Sequence, residues 1–243
     1  MQTIKTSAFI IKFILVSLLL VVIAIVFNTA FIYLTDRDYR NTAVYIKPVP
    51  QTIIIDAGHG GEDGGAVGIN NVLEKDLNLE VSLLLADLFR SAGYNIIMTR
   101  TDDRMLYTEH IKGKLKSQDL KNRLVITEQN PDSIFISIHM NKFPKANVSG
   151  TQIYYSPNHL SSETLAKAVQ SYIKEYVQPD NNREIKKSGS QIYLMKKITT
   201  PAILIECGFL SNYDEAELLT DSTYRHILAC VIYCAVNNCI INM

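Results

Sequence analysis

The chain has 243 residues, 24 basic and 24 acidic, for a formal net charge of zero. That balance argues against a general binder of polyanions, which needs a basic excess, so no nucleic-acid partner is expected. The length suits one large domain or two small ones. Apolar residues concentrate at the front: Phe13 to Leu34, "FILVSLLLVVIAIVFNTAFIYL", carries no charge and is long enough to span a bilayer core as a helix. Lys5 and Lys12 precede it, while Asp36, Arg37, Asp38 and Arg40 behind it nearly cancel. With no positive surplus behind, the N-terminus reads as cytoplasmic and the body as exported. A cleaved signal peptide is the alternative, but "NTAFIYLTDRD" offers no good small-x-small cleavage site. Residues 1–35 are therefore read as a membrane anchor, residues 36–50 as a polar tether ending in prolines, and residues 51–243 as the folded body.

The body opens with Thr52 to Ile55, a β-branched run that predicts a buried strand. It leads into "DAGHGGEDGGAVG", where six of the chain's 11 glycines fall between Gly58 and Gly68 around the single imidazole of His59. Glycine is costly to order, so this loop needs a purpose. Glu74 to Ala92 predicts a helix with a broad apolar face, closed by Gly93. "YNIIMTR" predicts a second strand, Leu115 to Gln129 a helix, "SIFISIHMN" a third strand and "GTQIYYS" a fourth. Ser162 to Val177 follows as an amphipathic helix. "SQIYLM" and "PAILIEC" are expected to be short strands, and Tyr213–Leu219 and Tyr224–Val236 helices. Alternation of strands and helices predicts a single α/β domain of about 190 residues with a largely parallel sheet. The cysteines, Cys207, Cys230, Cys234 and Cys239, form no CxxC pair and crowd toward the C-terminus, which disfavours a disulfide framework. Cys230 and Cys234 are expected to pack as small buried hydrophobes.

Ligands of open α/β sheets bind beyond the C-terminal ends of the strands. Three such ends carry polar residues: Asp56 then His59, His139 with Asn141, and Glu206. Glu74 opens the helix after the glycine loop. Two histidines and a carboxylate from separate elements resemble a catalytic zinc set, which leaves a fourth position for water, with a remaining carboxylate available as general base. Glu74 could instead serve the helix dipole, and a lone histidine is commonly structural. Glu206, ending an apolar run, must be paired, near water or functional. His110, His159 and His226 lack such company. The glycine loop matches neither phosphate-binding fingerprint.

"IIIDAGHGGEDGGAVG", "EKDLNL", "MTRTDD", "DLKNR", "IFISIHMN" and "PAILIECGFLSN" occur in this order. Together they closely resemble the zinc-dependent N-acetylmuramoyl-L-alanine amidases of bacterial cell walls, across about residues 52 to 238. The resemblance implies a twisted, mostly parallel six-stranded sheet with helices on both faces. It implies one Zn2+ per chain held by His59, Glu74 and His139, with Glu206 as the catalytic glutamate. It implies peptidoglycan as the substrate, and the N-terminal helix would supply the membrane contact. An activator protein is a candidate partner. "SQDLKNR", "HMNKFP" and "NNREIKKS" look like the sporulation- and germination-associated amidases of endospore formers. In those the implied role is peptide removal from spore cortex toward muramic-δ-lactam. The chain departs from the broad family pattern at Met140, where a small residue is commoner, and this position is expected to shape the nearby pocket. Two other readings stand beside the amidase: a catalytically silent wall-binding module, and a metal hydrolase of a different amide.

Overall fold

The computed structural model describes residues 22, 23, 25–30 and 51–242. Six strands, β1 (Thr52–Ala57), β2 (Asn95–Met98), β3 (Ile134–Asn141), β4 (Gln152–Tyr155), β5 (Lys186–Lys187) and β6 (Ala202–Phe209), form one sheet in the order β2-β1-β3-β6-β4-β5. The four on one side, β2, β1, β3 and β6, run parallel; β4 turns antiparallel to β6, and β5 follows β4. This is the mostly parallel six-stranded α/β sheet expected from the chain.

Six helices flank it: α1 (Glu74–Ser91), α2 (Leu115–Glu128), α3 (Leu160–Tyr176), α4 (Tyr193–Lys197), α5 (Tyr213–Thr220) and α6 (Ser222–Ile241). The central strands read as unbroken apolar runs because both of their faces are covered. On one face Ile53, Ile55, Ile136, Ile138, Ile203 and Ile205 meet Leu77, Val81, Leu85 and Phe89 of α1, Leu165 and Val169 of α3, and Leu228 and Ile232 of α6. On the other, Ile54, Phe135, Ala202 and Leu204 meet Leu194, Met195 and Ile198, with Leu120 and Leu124 of α2 packed alongside. The α1 pattern, with apolar residues three and four apart, is that of a helix with one buried stripe. It ends where Gly93 takes φ +88°, a left-handed C-terminal turn. α6 is long and apolar enough to cross a membrane by composition, but Leu228, Ile232, Ala235 and Val236 are buried in the core.

Three expectations are corrected. "SQIYLM" does not form a strand; its second half begins α4, and Lys186–Lys187 supplies β5 instead. Leu194, Met195 and Ile198 all reach the same core cluster, which a strand cannot arrange because successive side chains alternate faces. Cys230 and Cys234 lie exposed on α6: α6 turns its Leu228 and Ile232 stripe inward, so these two positions face out. The side chain of Met140 is buried in the cluster beneath α1, on the sheet face opposite His139, so it reaches the site only through its backbone N–H, which donates to Glu74 Oε1 at 3.2 Å. All four cysteines are free thiols. The expected anchor, Phe13–Leu34, is described in part: residues 22, 23 and 25–30 are helical, with Val22, Ile23, Ile25, Val26 and Phe27 exposed. The remainder of that segment, and the tether at 36–50, lie outside the described residues.

Candidate metal centre

Three elements bring His59, Glu74 and His139 together. His59 follows β1, Glu74 is the first residue of α1, and His139 lies near the C-terminal end of β3. One ligand atom from each lies within 4.8 Å of the others. Glu74 is central: its Oε1 is 3.2 Å from His59 Nε2 and 2.9 Å from His139 Nδ1. The two imidazoles meet edge-on with centroids 5.0 Å apart.

The glycines exist to permit this approach. A side chain at Gly58 would run into the His139 ring. Gly65 has φ +69°, and a Cβ there would strike the Glu74 carboxylate. His59 itself holds φ 60°, an uncommon conformation for a non-glycine residue that persists only where its surroundings enforce it.

Those surroundings are two buried arginines. Arg123 of α2 donates to His59 O at 2.7 Å and Ala57 O at 2.8 Å. Arg100 donates to Ala57 O at 2.9 Å, Gly58 O at 3.0 Å and Lys75 O at 2.7 Å. Asp56 and Asp119 balance Arg123. Burial would raise the Asp56 carboxyl, but Arg123 and the Ser137 hydroxyl, with the charge of His139, outweigh it and hold the group below its usual range. Thus Asp56, a strand-end candidate by sequence, belongs to the support and not to the cluster. Asn141 also stays apart, its Oδ1 accepting from Lys142 N at 2.8 Å. His110 pairs with Glu62 at 3.0 Å, His159 caps α3, and His226 bonds Ser222 O at 2.7 Å, all outside the site.

Sequence reasoning missed two contributors. Asp63 Oδ2 approaches His59 Nδ1 to 2.9 Å, although that buried nitrogen has no directed hydrogen bond. Its place four residues after His59 was the available signal. Asn78, one turn along α1, donates to Gly58 O at 3.1 Å and to Glu74 Oε1 at 3.3 Å.

Burial works to lower the His59 pKa, but contacts with Asp63 and Glu74 overcome it and raise it to about 9. For Glu74, burial works upward and the two histidines outweigh it, leaving the carboxyl well below the usual range. The cluster therefore holds an ionised carboxylate and a protonated imidazole wherever no cation replaces the proton. Two imidazoles and a carboxylate whose ligand atoms all lie within 4.8 Å of one another fit a zinc ion.

Glu206 completes the picture. In register, His139 of β3, Glu206 of β6 and Gln152 of β4 stand in one row across three strands, so their side chains share one face. Glu206 Oε2 is buried with no hydrogen-bond partner. Burial raises its pKa to about 7, with Glu74 adding to the shift and the histidines opposing it. A carboxylate poised near neutrality beside a cation site suits acid–base chemistry.

Residues 53–238 match the family model described as N-acetylmuramoyl-L-alanine amidase. The germination-specific N-acetylmuramoyl-L-alanine amidase of Bacillus subtilis (strain 168) is 39% identical over 183 residues, covering 74% of this chain and 76% of that protein. The structure of the CwlD amidase from Clostridioides difficile, solved in complex with the GerS lipoprotein, superposes with TM-score 0.76 at 40% identity, covering 79% of this chain and 100% of that one. The amidase AmiC2 of Nostoc punctiforme superposes with TM-score 0.69 at 26% identity, over 80% of this chain and 98% of its own.

Proposed function

This chain belongs to the N-acetylmuramoyl-L-alanine amidase family, and from that premise we propose that it is a zinc enzyme in which His59, Glu74 and His139 hold the metal and Glu206 moves the proton. It is an amidase of peptidoglycan and acts outside the cytoplasm. The single observation that supports the assignment of roles is the row His139–Glu206 beside Glu74: a three-ligand cluster with an unpartnered carboxylate next to it.

When bound, zinc supplies Lewis-acid polarisation and acidifies water. Glu206 takes a proton from the attacking water as it adds to the lactyl carbonyl that joins muramic acid to L-alanine. The same carboxyl then delivers that proton to the departing alanine nitrogen. A side chain whose pKa sits near 7 exchanges protons in both directions at little cost. Asp63 and Asn78 orient His59 and Glu74, and the Arg100–Arg123 pair fixes the backbone that carries His59. The products are a free stem peptide and a glycan with bare muramic acid.

The biological setting follows the relatives. The germination-specific relative and the subgroup motifs support a role in spore cortex, as a step toward muramic-δ-lactam. The complex recorded for the C. difficile amidase supports an accessory lipoprotein as a partner of this chain also. Phe13–Leu34 would tether the body, residues 51–243, to the membrane. Full-length protein should then stay with membranes through a high-salt wash and keep its N-terminal residues; a soluble form beginning after residue 30 would mean a cleaved signal instead.

Metal binding tests the ligand roles. The body should carry one zinc per chain, and His59→Ala or His139→Ala should abolish tight binding; full zinc in both variants would remove the assignment. Zinc must also displace the His59 proton, whose pKa without metal is about 9. The raised pKa means protonation favours the metal-free fold below about pH 6.5 and that contribution disappears as pH rises through about 9. Zinc affinity should therefore climb roughly tenfold per unit between about pH 6 and 8. A flat profile measured by competition with a chromogenic chelator would contradict a protonated His59.

A further inference from the structure

The stretch "NNREIKKS" contains Arg183, which lies outside the metal cluster and its support. Its guanidinium lies over the ring of Phe209, 4.6 Å from the centroid, and its Nε donates to Ser149 O at 2.6 Å. Asn181 holds the turn behind it, accepting from Arg183 N at 3.0 Å and donating to Thr151 O at 3.0 Å. The head is thus fixed by stacking and one hydrogen bond. Among the described residues, its two Nη groups have no hydrogen-bond partner and no carboxylate within ion-pair distance.

Its location is set by the sheet. Phe209 pairs with Asn141, across a bulge from the His139–Glu206 pair, so the ring falls on the same face as Glu206, about 7 Å farther along the strand. Tyr154 shares that neighbourhood: burial raises its hydroxyl, the Glu206 charge adds to the shift, and the Arg183 charge opposes it. Arg183 also lines a groove of about 620 Å³ with Glu215 and the loops at Asn147–Gly150 and Val177–Asn182.

A half-buried guanidinium whose nearby carboxylate, Glu215, is taken up instead by Gly150 N and Phe209 N at 2.8 Å is prepared for a planar carboxylate, which it can grip with two parallel hydrogen bonds. The substrate's two halves differ in charge. The acetylated sugars carry no free carboxylate while the muramic acid carboxyl is tied up in the scissile amide, whereas a peptide ends in one. We propose that Arg183 binds a carboxylate of the stem peptide and thereby holds the leaving half of the substrate beside Glu206. This rests on the amidase reading. It makes Arg183 a substrate-binding residue whose partner is anionic peptide.

The test uses zinc-loaded Glu206→Gln protein, which holds substrate without cutting it. Two ligands are titrated calorimetrically: a disaccharide peptide with free peptide carboxylates, and the same molecule with those carboxylates amidated. Amidation should weaken binding roughly 10- to 100-fold, the range for losing a hydrogen-bonded charge. Adding Arg183→Gln should weaken the free acid by a similar factor and erase the preference between the two ligands; Arg183→Lys should keep part of it. Thermal melts and zinc content identify a variant that has not folded. In that event the comparison on the Arg183-containing protein still decides, because no preference for the free acid, or no binding of either ligand, overturns the proposal. An amidation effect equally large in folded Arg183→Gln also overturns it. Peptide release by the unmutated chain is measured separately, so failure of the amidase reading shows there and not in the titration.

Discussion

Glu206→Gln should lower stem-peptide release by roughly 10²- to 10⁴-fold, the usual loss for a general acid–base group, while zinc content and wall binding stay at the unmutated level. The substitution preserves shape and removes only the ability to accept and return a proton. It carries a second, opposite consequence. Burial raises the Glu206 carboxyl to about 7, above the ordinary glutamate value of 4.5. An acid whose folded pKa is raised destabilises the fold once it must ionise: the penalty is absent below about pH 4.5 and complete above about 7. At pH 8 the metal-free Gln variant should therefore be more stable than the unmutated body, by on the order of 3 kcal/mol. Urea unfolding of both proteins at pH 8 and pH 4 reads this directly. An active Gln variant would remove Glu206 from catalysis, and equal stabilities at pH 8 would mean the carboxylate is not held in an apolar setting.

Arg123→Ala should cost about 3–5 kcal/mol of stability, the range for removing one partner of a buried ion pair. Arg123 is 2% exposed and faces Asp56, 1% exposed, and Asp119, 3% exposed. Its loss leaves two buried carboxylates without their cation. At 2–4 °C per kcal/mol for a body of this size, the melting temperature should fall by about 6–20 °C. The carbonyl of His59 also loses its side-chain donor and that of Ala57 loses one of two, so the left-handed turn at His59 is freed and zinc affinity should drop with stability. Arg123→Lys should recover little, because an ammonium cannot span the same carbonyls and carboxylates. A change of less than about 1 kcal/mol, typical of a surface pair, would show that the network does not hold the loop.

These two residues also show what the chain discloses before folding. Glu206 could be singled out because a carboxylate at the end of "AILIEC" contradicts its apolar neighbours, and burial without a partner bears out that tension. The parallel sheet followed from β-branched runs between amphipathic helices, since each run had to be covered on both faces. Arg123 and Arg100 gave no such signal. They sit in polar stretches, "DLKNR" and "MTRTDD", and only the fold carries their guanidinium groups beneath the glycine loop. Their contacts with residues 56–59 span 42 to 67 residues of sequence, and periodicity cannot register partners that distant. The same limit explains α4. "QIYLM" has a strand's composition, and the need for Leu194, Met195 and Ile198 to enter one pocket of core overrides it. Pairing of the two-residue β5 depends on β4 alone, and nothing in Lys186–Lys187 announces a strand.

The most direct measurement is a digest of purified peptidoglycan by the body, residues 51–243, in metal-stripped and zinc-loaded forms, each with and without extract from sporulating cells, with fragments identified by mass spectrometry. The expected result is zinc-dependent release of stem peptides that begin with L-alanine, leaving glycan with unsubstituted muramic acid. Release at full rate by the stripped protein, cleavage at another bond, or no release by zinc-loaded protein even with extract would contradict a zinc amidase built on His59, Glu74, His139 and Glu206.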